Sequence, residues 1–153
     1  MEAFEFSLSP DLRVLTELRH RLSAWLSRAE IGRQERSDIV LGTHEAAANA
    51  IEHAVGADGN ARVTARLTDG LVTVEIKDGG SWRARSDDAA ERGRGLPLIA
   101  ALVDELQVKQ DHRGTTVRLL YRLGDRGRAP NAGLPRRVLR RVMRRARTES
   151  ESR

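Results

Sequence analysis

Apolar and polar residues alternate from the start of the chain, where Phe4, Phe6 and Leu8 predict a short strand. Ser9-Pro10 then opens a helix, with Ser9 as N-cap, Pro10 at the first helical position and Asp11 in the first turn. Leu15, Leu18, Leu22, Trp25 and Leu26 recur at steps of three and four and form its apolar stripe. A break at Ile31-Gly32 leads to a second helix over residues 34–55, in which Ile39, Val40, Ala47, Ala50, Ile51 and Ala54 keep helical spacing. Residues 56–60 are a turn. Val63, Ala65 and Leu67 alternate, Asp69-Gly70 is a hairpin turn, and Val72, Val74 and Ile76 alternate again. Residues 78–94, rich in Gly, Ser and charge, predict a loop. Residues 96–106 begin as a helix with Leu98, Ile99 and Leu102 as its apolar face and run into a strand over 106–109. A turn at 111–114 precedes a last strand carrying Val117, Leu119 and Tyr121.

The order is therefore strand, two helices, two strands, helix, two strands. Hairpins pair strands antiparallel, so this order predicts an α+β fold: a two-layer sandwich with a mixed, mostly antiparallel sheet and its helices on one face. The chain shows no internal repeat.

Composition narrows the picture. A chain of 153 residues is one domain by length, and with 39% hydrophobic but only 3% aromatic residues its core must be aliphatic. The absence of cysteine excludes a disulfide framework and a thiolate zinc site. No apolar run approaches a membrane span and the first residues lack a signal-peptide pattern, so the expectation is a cytoplasmic protein. The net charge of +5 is unevenly placed. From Gly124 onward ten arginines face Asp125, Glu149 and Glu151, a local +7 that leaves the first 123 residues at −2. That argues against a core that binds nucleic acid. In the tail, Val138, Leu139, Val142, Met143 and Ala146 fall on one helical face among arginines, which suits either a basic amphipathic helix or a disordered end.

The stretch with the most chemistry is residues 42–54. Glu45, Asn49 and His53 are four apart and share one face of the second helix, with alanines around them. A carboxamide oxygen can ligate a hard cation such as magnesium, and a carboxylate one turn earlier can orient or deprotonate a nucleophile. Asp78 ends a buried strand and precedes Gly79-Gly80; its carboxylate can accept from an exocyclic amine while glycines let a flat ring approach the backbone. Gly93-Arg94-Gly95-Leu96 opens a helix, whose free amides and dipole suit phosphates. Gly114-Thr115-Thr116 opens the last strand. No Walker lysine motif is present, which rules out a P-loop fold. His20, His44 and His112 lack metal-site spacing.

Singly, each of these motifs is an ordinary turn or helix. As an ordered set over residues 4–123 they resemble the four motifs of the GHKL ATPases, the superfamily of gyrase and the histidine kinases, and within it the small anti-sigma-factor serine kinases. The resemblance implies the ATP-binding sandwich over residues 1–123; it does not reach residues 124–153, which their charge sets apart as a basic tail. It implies ATP and magnesium as cofactors, with Asn49 on the metal and Glu45 as catalytic base. Asp78 would read the adenine amino group beside Gly80, with the Thr115 hydroxyl supporting Asp78. Gly93, Arg94, Gly95 and Leu96 would hold phosphates and end a short lid. Arg92 matches the family's phosphoryl-transfer arginine best, with Arg94 as the alternative. His53 is either a further nucleotide contact or a helix-end residue. The implied partners are an RNA polymerase sigma factor, a STAS-type anti-anti-sigma protein phosphorylated on serine, and a second copy in a homodimer. The competing readings are a non-catalytic ATP-binding module that switches partners and the catalytic domain of a histidine kinase; no upstream helix carries a dimerisation pattern with a phosphoacceptor histidine, which weighs against the latter.

Overall fold

The computed structural model describes residues 1–53, 61–79 and 95–124, with the backbone alone for residues 53, 95 and 96. The elements run β1 (Phe4–Leu8), α1 (Val14–Arg28), α2 (Arg33–His53), β2 (Ala61–Thr68), β3 (Leu71–Asp78), α3 (Gly95–Leu102), β4 (Glu105–Asp111) and β5 (Gly114–Arg122).

The strands form one five-stranded sheet in the order β1-β2-β3-β5-β4. Every pairing among the described strands is antiparallel, where the sequence pattern predicted a mixed, mostly antiparallel sheet. The reason lies in the return path. β4 runs parallel to β3, but β5 folds back and inserts between them, so no parallel pair forms among the described strands.

Alternation along each strand builds the core. Phe4, Phe6 and Leu8 of β1, Val63 and Ala65 of β2, Val72, Val74 and Ile76 of β3, and Val117, Leu119 and Tyr121 of β5 all point into one buried cluster with the apolar sides of the helices. Leu15, Leu18, Leu22, Trp25 and Leu26 of α1 join it, as the stripe predicted. Trp25 donates its indole N–H to the Glu2 carbonyl at 3.0 Å, which ties α1 to the start of β1. The opposite sheet face is polar. There Glu75 accepts from Arg118 at 2.7 Å and lies 3.0 Å from Lys77. Partial burial raises the Glu75 carboxyl, but the hydrogen bonds from Arg118 and Lys77 outweigh this and hold it below its ordinary value.

Three local features depart from the sequence reading. Helix α1 begins at Val14, and Asp11 rather than Ser9 organises its entry by accepting the Arg13 backbone N–H at 2.9 Å. The break after α1 turns at Glu30 (φ 58), not at Gly32: Ile31 N–H reaches back to the Leu26 carbonyl and Glu30 N–H to that of Ser27, a Schellman closure with Ile31 and Leu26 both buried. Leu98, expected on the inner face of α3, is 38% exposed, because the short helix packs through Ile99 and the following Val103. The hairpin at Asp69-Gly70, with φ of 49 and 73, follows the sequence prediction.

Two residues far apart in sequence lock α2 onto the sheet. Gly42 lies against the buried Tyr121 side chain, and a Cβ at position 42 would collide with the Tyr121 hydroxyl. At the far end of β5, Gly114 (φ 134) lies against the Asp78 carbonyl, where any side chain would clash.

Candidate nucleotide site

A cleft opens between α2, α3 and the sheet end where β3 stops and β5 starts. Ala46, Asn49 and Ala50 of α2, Ile99 of α3, Asp78 of β3, and Thr115 and Val117 of β5 line it. Each side chain is placed by simple periodicity. Asn49 shares the cleft wall with Ala46 and Ala50, whose small side chains keep the helix surface low around it. Asp78 follows Val72, Val74 and Ile76 on the inward-facing parity of β3, so its carboxylate points to the helix side where the helices leave the sheet end open. Thr115 stands directly opposite Asp78 in the ladder and is 2% exposed. Opposed side chains on one sheet face have Cβ atoms about 5 Å apart, within reach of a hydroxyl–carboxylate contact.

The structure thus brings Asn49, Asp78 and Thr115 together, from three elements separated by up to 66 residues in the chain. Glu45 does not line the cleft; it is half-buried on α2 one turn before Asn49, about 6 Å along the helix axis. His53 ends α2, and Gly95 and Leu96 form the first turn of α3, one turn before Ile99 in the cleft. Gly80, Arg92, Gly93 and Arg94 lie outside the described residues, as does the tail after Gly124.

Sequence reading missed the apolar part of the lining. Ile99 and Val117 carry no motif; in the sequence they are simply members of the apolar periods of α3 and β5. It also passed over Gln110, which lies next to Thr115 in the ladder.

The donor set can be weighed against a magnesium-bound nucleotide. Among the described residues no three His, Asp or Glu side chains gather into a metal cluster. One carboxamide, with a small-residue surface around it, suits magnesium that keeps several waters and takes its remaining oxygens from phosphates. A carboxylate and a hydroxyl at the floor, flanked by Ala, Ile and Val, suit a flat heterocycle with an amino group. The residues present fit both.

Comparison with known proteins agrees with this geometry. Residues 8–121 match the histidine kinase-like ATPase domain. The chain is 31% identical over 127 residues to the serine-protein kinase RsbW of Bacillus subtilis, an alignment spanning 71% of this chain and 79% of that protein. Its fold superposes with a TM-score of 0.68 and 28% identity on the crystal structure of the RsbU and RsbW domains of Rv1364c from Mycobacterium tuberculosis, covering 80% of this chain and 33% of that longer one. No described helix is long and apolar enough to cross a membrane. With its α+β sandwich and its matched span, the chain belongs to the histidine kinase-like ATPase family and is a relative of the RsbW serine-protein kinase.

Proposed function

We propose that the chain is an ATP- and magnesium-dependent serine kinase of the anti-sigma type, which holds a sigma factor and phosphorylates a serine on an anti-anti-sigma protein. The observation that carries this reading is the convergence of Asn49, Asp78 and Thr115 on one cleft, in a relative of a serine-protein kinase. A cytoplasmic setting and a homodimeric state belong to the same reading, with the basic tail after Gly124 acting apart from the kinase domain.

Asp78 accepts from the adenine amino group and Thr115 supports that carboxylate. Asn49 gives its carboxamide oxygen to the magnesium, which when bound neutralises phosphate charge. The first amides of α3 at Gly95 and Leu96, with Gly93, take phosphate oxygens at a helix N-terminus, and Arg92 or Arg94 adds positive charge there. Glu45 accepts the proton of the incoming serine hydroxyl. The serine oxygen then bonds to the terminal phosphorus, the bond from that phosphorus to the bridging oxygen breaks, and ADP leaves with the electron pair. Positioning and charge neutralisation account for most of such a transfer.

The test is a radiolabelled-ATP assay with the candidate anti-anti-sigma protein, beside a calorimetric titration of magnesium-ATP. Asn49→Ala should abolish magnesium-dependent binding. Glu45→Ala should keep ATP affinity within a few fold and lower transfer by about 10²–10⁴-fold, the usual range for a general base. A wild type that binds its partner and ATP but transfers no phosphate would make the protein a non-catalytic partner-switching module.

A further inference from the structure

On three adjacent strands the inward-facing apolar parity turns polar in the same transverse row. Successive rows across β3, β5 and β4 read Val74, Leu119 and Leu106, then Ile76, Val117 and Val108, both apolar throughout. The next row reads Asp78, Thr115 and Gln110. On β4, Gln110 occupies the position where the period of Leu106 and Val108 calls for a third apolar residue, so its side chain starts on the helix side of the sheet. It is exposed, whereas Thr115 beside it is buried at the cleft floor.

We propose that Gln110 is a positioning residue of the nucleotide site, setting the direction in which the Thr115 hydroxyl points its proton. This rests on the reading of the cleft as an adenine site. A threonine hydroxyl has one proton and two lone pairs, and rotation about its C–O bond decides which neighbour receives the proton. Opposed Cβ atoms lie about 5 Å apart, a separation the Gln110 side chain is long enough to span, and Gln110 stands opposite Thr115 in the ladder. The Gln110 N–H donates to the Thr115 oxygen, and the Thr115 O–H is left to donate to Asp78. One Asp78 oxygen is thereby occupied, and the other faces the incoming amino group. The row behaves as a relay of oriented hydrogen bonds running from the sheet edge to the base-reading carboxylate. Substrate selectivity between an amino and a carbonyl heterocycle then depends on a residue that need not touch the nucleotide.

Gln110→Glu is the decisive variant, because it keeps size and exposure but can only accept. A carboxylate there draws the Thr115 proton toward itself and turns a lone pair on Asp78. Full-length wild type, Gln110→Glu and Gln110→Leu are titrated with magnesium-ATP and with magnesium-inosine triphosphate, which has a carbonyl where adenine has its amino group. Gln110→Leu should weaken ATP by about five- to tenfold and shrink the preference for ATP by a similar factor, the range of one lost hydrogen bond. Gln110→Glu should do so at least as strongly. Urea unfolding without nucleotide, on Gln110→Leu, Thr115→Val and the double variant, should give midpoint shifts that do not add. Additive shifts, or Gln110→Glu with wild-type preference in a protein that does bind ATP, overturn the proposal alone. A wild type that binds neither nucleotide overturns the adenine reading itself.

Discussion

Asp78 and Thr115 face each other across β3 and β5, and Gly114, the residue before Thr115, lies against the Asp78 backbone carbonyl. The glycine is needed for that contact: its φ of 134 is rare for other residues, and the space beside it is filled. The glycine that opens β5 therefore has a packing role, and it sets the register that places Thr115 opposite Asp78.

The proposed base-reading role of Asp78 predicts a loss of affinity and of selectivity together. Asp78→Asn replaces an acceptor by a group that also donates, and the amino group of adenine then meets a mismatch costing about 1–3 kcal/mol. Calorimetry should show weaker ATP binding and a narrower gap between ATP and GTP. Equal binding of ATP and GTP by the wild type would remove Asp78 from the base.

Gly42 and Tyr121 predict a stability cycle. In a helix interior alanine is ordinarily better than glycine by about 1 kcal/mol. Here Gly42→Ala drives a methyl into the Tyr121 hydroxyl and should cost about 1–3 kcal/mol. With Tyr121→Phe the nearest obstacle becomes the ring carbon 3.6 Å away, an ordinary contact, so the second substitution should restore the alanine variant. Urea midpoints of the four proteins check this; a Gly42→Ala variant as stable as wild type refutes the clash.

Glu75 predicts an acid-side effect on stability. Its folded pKa lies below its unfolded value, so it contributes stability above the unfolded value that disappears as pH falls through the folded one. Between pH 5 and pH 2, Glu75→Gln should therefore lose less stability than wild type. Parallel pH profiles of thermal unfolding for the two proteins would contradict the pairing with Arg118 and Lys77.

Removing residues 131–153 should leave ATP binding unchanged. The chain leaves β5 at the end opposite the cleft, about 23 Å from Thr115 at the rise of a strand. That exit is held by Leu123 N–H to the Gly70 carbonyl at 2.8 Å and Gly124 N–H to Glu35 at 3.0 Å, both retained in the truncation. A truncated protein that unfolds or fails to bind ATP would place the tail inside the ATPase-like domain.

Local periodicity made the elements legible. The alternation of Val72, Val74 and Ile76 and the stripe of α1 each depend on neighbours within a few residues, and so does the shared face of Glu45 and Asn49. The Asp69-Gly70 hairpin is as local, since two residues with positive φ suffice to make it.

The order of strands was not legible, because no residue pattern states which edge β5 will pair with. Only its insertion between β3 and β4 makes the sheet antiparallel throughout and puts Asp78, Thr115 and Gln110 in one row. The same holds for the apolar walls of the cleft and for the contact of Gly42 with Tyr121, which lie 79 residues apart. Those residues carry no signal of their own; their neighbours across the fold give them their roles. By itself the sequence determined what each segment is and which chemical groups it carries. The tertiary structure alone decided which of those groups meet, because such contacts come from long-range packing to which local periodicity is blind.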